Sequence, residues 1–253
     1  PRYTEAMSDS LVSPFSAGGG FCTAIASRSV SSKSARSCVG KRCGSTRSVI
    51  EAIPKAAVGV VSGPSFAEEV ARRLPTALAV AATDAGLAAH VASLLRSDTL
   101  RAYVSDDLAG VEVGGAVKNV LAIAAGASDG LLYGHNARAA LITRGLAETG
   151  RLSSALGGSR ETLMGLAGLG DLVATCSSPL SRNRTFGERL GQGMTTEEIY
   201  ATTKQVAEGA KSCKSILDLA RHNGVDAPIA EHVDAVVRGE ISARDMMDAF
   251  IAR

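Results

Sequence analysis

The stretch Gly110–Gly130, GVEVGGAVKNVLAIAAGASDG, decides how the rest of the chain is read. It is mostly Gly, Ala and Val, with Leu121 and Ile123 at helical spacing, and predicts one buried helix packed by small residues. One cation, Lys118, stands in its middle beside Asn119. A lysine inside such a run is costly, because desolvation disfavours its charged form. Two explanations compete. The stem can lie along apolar surface while the ammonium reaches water, or a rigid helix can present the amine to a closed cleft for acid–base work. The neighbouring sequence has to choose between them.

Around that stretch, 253 residues give room for one large or two modest domains with a real core. The chain is 45% apolar and 21% charged, as expected of a globular protein. Aromatics make up 4% with no Trp, which argues against base-stacking platforms and aromatic cages. No continuous apolar run reaches the roughly 18–20 residues of a membrane span. The net charge of +2 hides an asymmetry, because residues 1–50 are strongly basic and the remainder is mildly acidic. A nucleic-acid partner would want positive charge on a folded face, so none is expected. Cys22, Cys38 and Cys43 lie early, and Cys176 and Cys213 lie in the body. None forms a CxxC pair or a metal-finger spacing, so no metal site is expected, and scattered thiols suit a reducing cytoplasm.

Residues 1–46 are crowded with Ser, Arg, Gly and Cys and show neither strand nor helix period. Disorder, a targeting peptide and sequence never selected to fold are the alternatives; disorder is the expected state, since such composition cannot offset its ordering entropy. From Val49 the pattern becomes regular. Ala56–Ser62 reads as a buried strand that stops at Gly63-Pro64-Ser65, and a helix opens at Phe66 and ends near Arg73. Strand, Gly-rich turn and helix start can collect an anion, although any α/β crossover contains such a turn. Thr76–Thr83 and Leu100–Ser105 read as further strands around a helix from about Asp84 to Arg96, with Asp106 as the next cap. This alternation indicates part of a parallel, doubly wound sheet. After Gly110 only helices follow, at 107–127, 136–156, 159–167, 184–191, 195–203, 206–223, 229–238 and 242–252, with stops at Gly191, Gly193, Gly224 and Gly239.

Two stretches of the helical half carry polar chemistry. In Gly165-Leu-Ala-Gly168-Leu-Gly170-Asp171 the glycines permit close backbone approach, and Asp171 is a lone acid that could equally cap a helix. This run follows a helix, so it is no dinucleotide fingerprint. In Ser181-Arg182-Asn183, ahead of the helix Phe186–Leu190, a guanidinium fork with flanking donors suits a phosphate, or forms a polar surface turn.

Taken in order, GPSFAEE, GGAVKNVLAIAAGASDGL, ETLMGLAGLGDLVATC and SPLSRNRTFGERLG closely resemble bacterial NAD(P)-dependent glycerol-3-phosphate dehydrogenase. The resemblance runs from about Val49 to the C-terminus. It implies an oxidoreductase that interconverts sn-glycerol 3-phosphate and dihydroxyacetone phosphate with NAD or NADP, for glycerophospholipid precursor synthesis. By position, Lys118 matches the catalytic lysine, a proton acceptor and substrate ligand. Gly63, Ser65, Asp171, Ser181, Arg182 and Asn183 match substrate-binding positions, and Ala67, Arg182, Val206 and Glu208 match cofactor contacts. The implied organisation is a leader over 1–48, part of a dinucleotide-binding domain over 49–106 and an α-helical substrate domain over 107–253. A homodimer is compatible with it.

The chain departs from the family pattern early. It has no G-x-G-x-x-G, and the expected Lys-Gly pair would fall near Ser34, where Lys33 is one place early and has no following Gly. The first half of the nucleotide domain is therefore expected to be missing, with the leader an out-of-frame or degraded translation. Such a remnant would expose a sheet edge, and it frames the alternative function, a truncated, non-catalytic remnant that lacks cofactor binding but still binds a small phosphate ester or dimerises.

Overall fold

The structure, a computed structural model, describes residues 23–27, 57–203 and 207–252. Its strands are β1 (Thr23–Ser27), β2 (Ala57–Ser62), β3 (Thr76–Ala82) and β4 (Leu100–Ser105), in the sheet order β1-β2-β3-β4. β2, AVGVVS, is buried at every position, as its Val-rich, unalternating sequence demands. Helix α1 (Ala67–Ala71) lies between β2 and β3, and α2 (Ala85–Leu95) between β3 and β4.

The expectation of a parallel sheet holds for one pair and is corrected for another. β3 and β4 pair in parallel, from Thr76↔Leu100 to Ala81↔Ser105. Their link contains the 11 residues of α2, long enough to carry the chain back along the strand. β2 and β3 are antiparallel, Ser62 opposite Ala79 and Gly59 opposite Ala82. The only helix in that link has 5 residues, so the chain turns and returns instead of crossing over. β1 was not expected. It lies antiparallel on β2, Thr23↔Val61 to Ser27↔Ala57, so the β2 edge expected to be bare has a partner. The other readings made for residues 1–48 lie outside the described residues.

The helices begin with α3 (Leu108–Gly130), capped by Asp107, not by Asp106: the Asp107 carboxylate accepts the Gly110 N–H at 2.8 Å. There follow α4 (Gly134–Ala155), α5 (Arg160–Leu163), a π turn at Leu166–Gly170, α6 (Asp171–Ser177) and α7 (Arg182–Gly191). α8 (Thr196–Thr202), α9 (Glu208–His222), α10 (Pro228–Val237) and α11 (Ala243–Ile251) complete the described chain. Gly193, Gly224 and Gly239 adopt positive φ as helix stops, whereas Gly191 is still helical. The helix expected over 159–167 is broken by the π turn, whose Gly170 N–H reaches the Gly165 carbonyl at 3.1 Å.

α3 is the axis of this half. It is buried from Gly110 to Ser128 except at Ala116. Its length and composition alone would suit a bilayer span, but it is enclosed by protein. The glycines make that enclosure tight. A Cβ on Gly126 or Gly130 would overlap the carbonyl oxygens of Arg184 and Glu188 on α7. Reciprocally, a Cβ on Gly187 or Gly191 would overlap those of Ile123 and Ala127 on α3. Two glycine pairs, each four residues apart, thus bring the backbones of α3 and α7 into direct contact. A small cluster of Val60, Ala81, Val111 and Ala167 joins the sheet to the start of α3.

Candidate active site

The chemistry gathers where the end of β2, the middle of α3 and the start of α6 meet. Gly114 lies one helical turn before Lys118 and leaves no Cβ to obstruct the Ala167 carbonyl, so the π turn settles directly on α3. Gly168 allows the same turn to fold over the Leu163 backbone. Asp171, first residue of α6, is thereby delivered to Lys118.

Lys118 Nζ donates to Asp171 Oδ2, and both residues are only 1% exposed. The same oxygen accepts the Gly63 N–H at 3.2 Å and the Ser62 hydroxyl at 3.4 Å. Thr175 Oγ1 donates to the Asp171 carbonyl at 2.6 Å and stands 3.3 Å from Oδ1. The carboxylate is therefore surrounded by donors, while the ammonium is not. Of its three hydrogens, only the one on Asp171 has a partner among the described residues. A buried ammonium with unspent donors is an arrangement that water or a ligand must complete.

The turn after β2 faces this pair. Gly63, at φ +145, points its N–H at Asp171, and any Cβ there would strike Leu78 at 2.8 Å. Ser65 is buried and turns its hydroxyl back onto the Gly63 carbonyl at 3.0 Å. Ala67 is exposed at the first position of α1.

The second group lies at the start of α7. Ser181 caps that helix through the Arg184 N–H at 3.2 Å. Asn183 is buried; its Nδ2 donates to Asn119 Oδ1 at 3.0 Å, and its Oδ1 accepts the Gly209 N–H at 2.8 Å. Because Asn119 adjoins Lys118, this amide bridge sets the start of α7 beside the ammonium and ties in the start of α9. Asn183, expected to face a phosphate, makes these two side-chain contacts within the protein. Arg182 lines a cleft between α7 and α8. Glu208 opens α9, and Val206 lies outside the described residues.

The structure brings Lys118, Asp171 and Gly63 together, and with them Ser62, Thr175 and Asn119, which the sequence reading did not assign to the site. Thr175 follows Asp171 by one helical turn, a spacing visible only once α6 is known to be a helix. Cys176 and Cys213 are not nucleophile candidates. Burial pushes the Cys176 thiol up to about 12, and burial together with the Asp234 carboxylate does the same to Cys213. No group of three His, Cys, Asp or Glu side chains suited to a metal ion occurs among the described residues.

Two family models match the chain: the C-terminus of NAD-dependent glycerol-3-phosphate dehydrogenase over residues 107–248, and its N-terminus over 42–88. The chain belongs to the NAD-dependent glycerol-3-phosphate dehydrogenase family. Glycerol-3-phosphate dehydrogenase [NAD(P)+] of Thermobifida fusca is 55% identical over 201 residues, 79% of this chain and 60% of that protein. The Streptomyces coelicolor protein of the same name is 57% identical over 180 residues, 71% of this chain and 54% of its own length. A crystal structure of glycerol-3-phosphate dehydrogenase from Coxiella burnetii superposes with a TM-score of 0.75 at 44% identity, over 77% of this chain and 60% of that one. The chain thus spans about 60% of the length of such dehydrogenases. Strands β2 and β3 lie within the N-terminal match, and helices α3 to α10 within the C-terminal one.

Proposed function

We propose that Lys118 and Asp171 form the acid–base centre of an NAD(P)-dependent sn-glycerol-3-phosphate dehydrogenase, interconverting that ester and dihydroxyacetone phosphate in the cytoplasm for glycerophospholipid synthesis. The observation that carries this reading is the Lys118 ammonium, sealed from water yet joined to a single partner. Its spare hydrogens suit the C2 oxygen of the substrate, with which the amine exchanges a proton. Asp171 holds the amine in place and is itself held by Gly63, Ser62 and Thr175, so the lysine has little freedom to reorient. Arg182, without a partner among the described residues, supplies a guanidinium for the ester's phosphate, and Gly63, Ser65, Ser181 and Asn183 are the further substrate-binding positions that the family resemblance implies.

A dinucleotide fits these residues in one respect, since the Arg182 guanidinium has no partner among the described residues. Ala67, Arg182, Val206 and Glu208 are the positions assigned to hold it. When bound, NAD or NADP supplies the hydride acceptor or donor.

A second reading, a chain that binds a phosphate ester without turning it over, is favoured by β1. That strand occupies the β2 edge where further strands of a doubly wound sheet would pair. Fluorescence titration of NADH and NADPH into the chain separates the two. Micromolar binding, with glycerol 3-phosphate oxidation lost in Lys118→Ala, supports the enzyme. No binding at millimolar cofactor leaves only the ester-binding chain.

A further inference from the structure

Among the described residues, four arginines are half-buried: Arg138, Arg182, Arg184 and Arg189. Arg138 and Arg184 are held by the Asp129 carboxylate, and Arg184 also by Glu188. Arg182 and Arg189 meet no carboxylate among the described residues. Arg182 has no hydrogen-bond or ion-pair partner among the described residues, and Arg189 has one neutral partner, the Thr202 hydroxyl at 3.3 Å.

These two share a surface. Both lie on α7, seven residues and hence about two turns apart, on the side turned away from α3. They line one cleft of about 200 Å³ between α7 and α8. Thr185 and Thr203 add hydroxyls, Leu180, Phe186 and Ile199 supply apolar wall, and no described acid lines it. Two partly desolvated guanidinium groups without counter-charge cost free energy, and a planar fork is the side chain best matched to phosphoryl oxygens. Neither Lys118 nor Asp171 lines this cleft.

We propose that the cleft binds a diphosphate group, one phosphoryl on Arg182 and the other on Arg189, with Arg189 the residue that distinguishes a diphosphate from a single phosphate. For Arg182 this rests on its reading as an anion ligand; Arg189 has no part in that reading. The wall of Phe186 and Ile199 suits an uncharged moiety attached to the diphosphate.

Isothermal titration of the full chain with inorganic pyrophosphate and with orthophosphate tests this. Pyrophosphate should bind about tenfold or more tightly than orthophosphate, the worth of one further charge-assisted bidentate contact. Arg189→Gln should reduce pyrophosphate to the orthophosphate level and leave orthophosphate unchanged, while Arg182→Gln should weaken both. Arg244→Gln, an exposed arginine of α11, is the control and should change neither. Circular dichroism melting checks that each variant is folded; should Arg189→Gln fail to fold, Arg189→Lys, which keeps charge but loses the fork, replaces it and should give an intermediate affinity. Displacement of pyrophosphate by NADH would assign the diphosphate to a dinucleotide, and its absence to a free diphosphate compound. Full pyrophosphate affinity in Arg189→Gln with loss in Arg182→Gln would overturn the diphosphate site and leave Arg182 as a phosphate ligand. Unchanged binding in both variants would remove both.

Discussion

Helix α3 carries two ion clusters eleven residues apart, and they differ in what is left unpaired. At Asp129 the carboxylate accepts from Arg138 at 3.0 Å and Arg184 at 2.7 Å, and Arg184 turns a further N–H to Glu188 at 3.1 Å. These side chains are 10–33% exposed, so water can complete what the protein leaves. That cluster holds α4 and α7 against α3. At Lys118 the carboxylate of Asp171 is saturated, the ammonium is under-coordinated, and neither reaches solvent. The same type of attraction serves as a fastening at one end of the helix and as a poised site at the other, and the difference lies in solvent access and spare donors, not in the charges.

The comparison can be broken most directly at Asp171. Asp171→Ala leaves a buried ammonium without its partner and should cost about 3–5 kcal/mol in urea unfolding, whereas Lys118→Met leaves a buried carboxylate that keeps its Gly63, Ser62 and Thr175 donors and should cost less. Asp129→Ala leaves two guanidinium groups that water can reach and should cost only about 1–2 kcal/mol. Equal losses at Asp171 and Asp129 would show that burial does not separate the clusters.

The contact between them is tested by Gly126→Ala, whose new methyl would collide with the Arg184 carbonyl. Overpacking there should cost about 1–3 kcal/mol by the same unfolding measurement. Gly150→Ala on α4, where nothing lies within 4 Å of a new Cβ, should instead stabilise by about 0.5–1 kcal/mol. A tolerated Gly126→Ala would mean that α3 and α7 can move apart.

A third buried carboxylate behaves differently, because among the described residues no cation neutralises it by contact. Glu148 on α4 accepts the Ile229 and Ala230 N–H groups at 2.9 and 3.0 Å and so caps α10. Burial, opposed by those two hydrogen bonds, raises its ionisation above the usual carboxylate range. A raised carboxyl favours the folded state below its unfolded ionisation range, and that advantage is lost as pH rises through the folded value. Stability measured from pH 4 to pH 7 should therefore fall less steeply in Glu148→Gln than in the parent chain. The effect is a fraction of that at Asp171, and identical slopes would mean that Glu148 titrates normally.

Much of the fold could be read from residue order. Val-rich β2, the apolar face of α2 and the glycine stops at 193, 224 and 239 signal their elements locally, because side-chain period and backbone freedom act within a few residues. What could not be read was the direction of β2 against β3, the strand β1 and the π turn before Asp171. Each depends on which distant backbone supplies the hydrogen bonds. The site divides in the same way. Lys118 and Asp171 stood out as ionisable residues in apolar, glycine-rich surroundings, but Ser62, Thr175 and Asn119 are ordinary polar residues whose role comes only from their neighbours in space.

By itself, then, the sequence determined that a long small-residue helix with a lysine at its centre would be buried, because Gly, Ala and Val at that spacing can do little else in water. It also determined the family, through the order of its motifs. Only the tertiary structure decided what that lysine meets. A carboxylate 53 residues further on is brought to Lys118 by glycines that let one backbone rest on another, and the ammonium is left buried with hydrogens still to give.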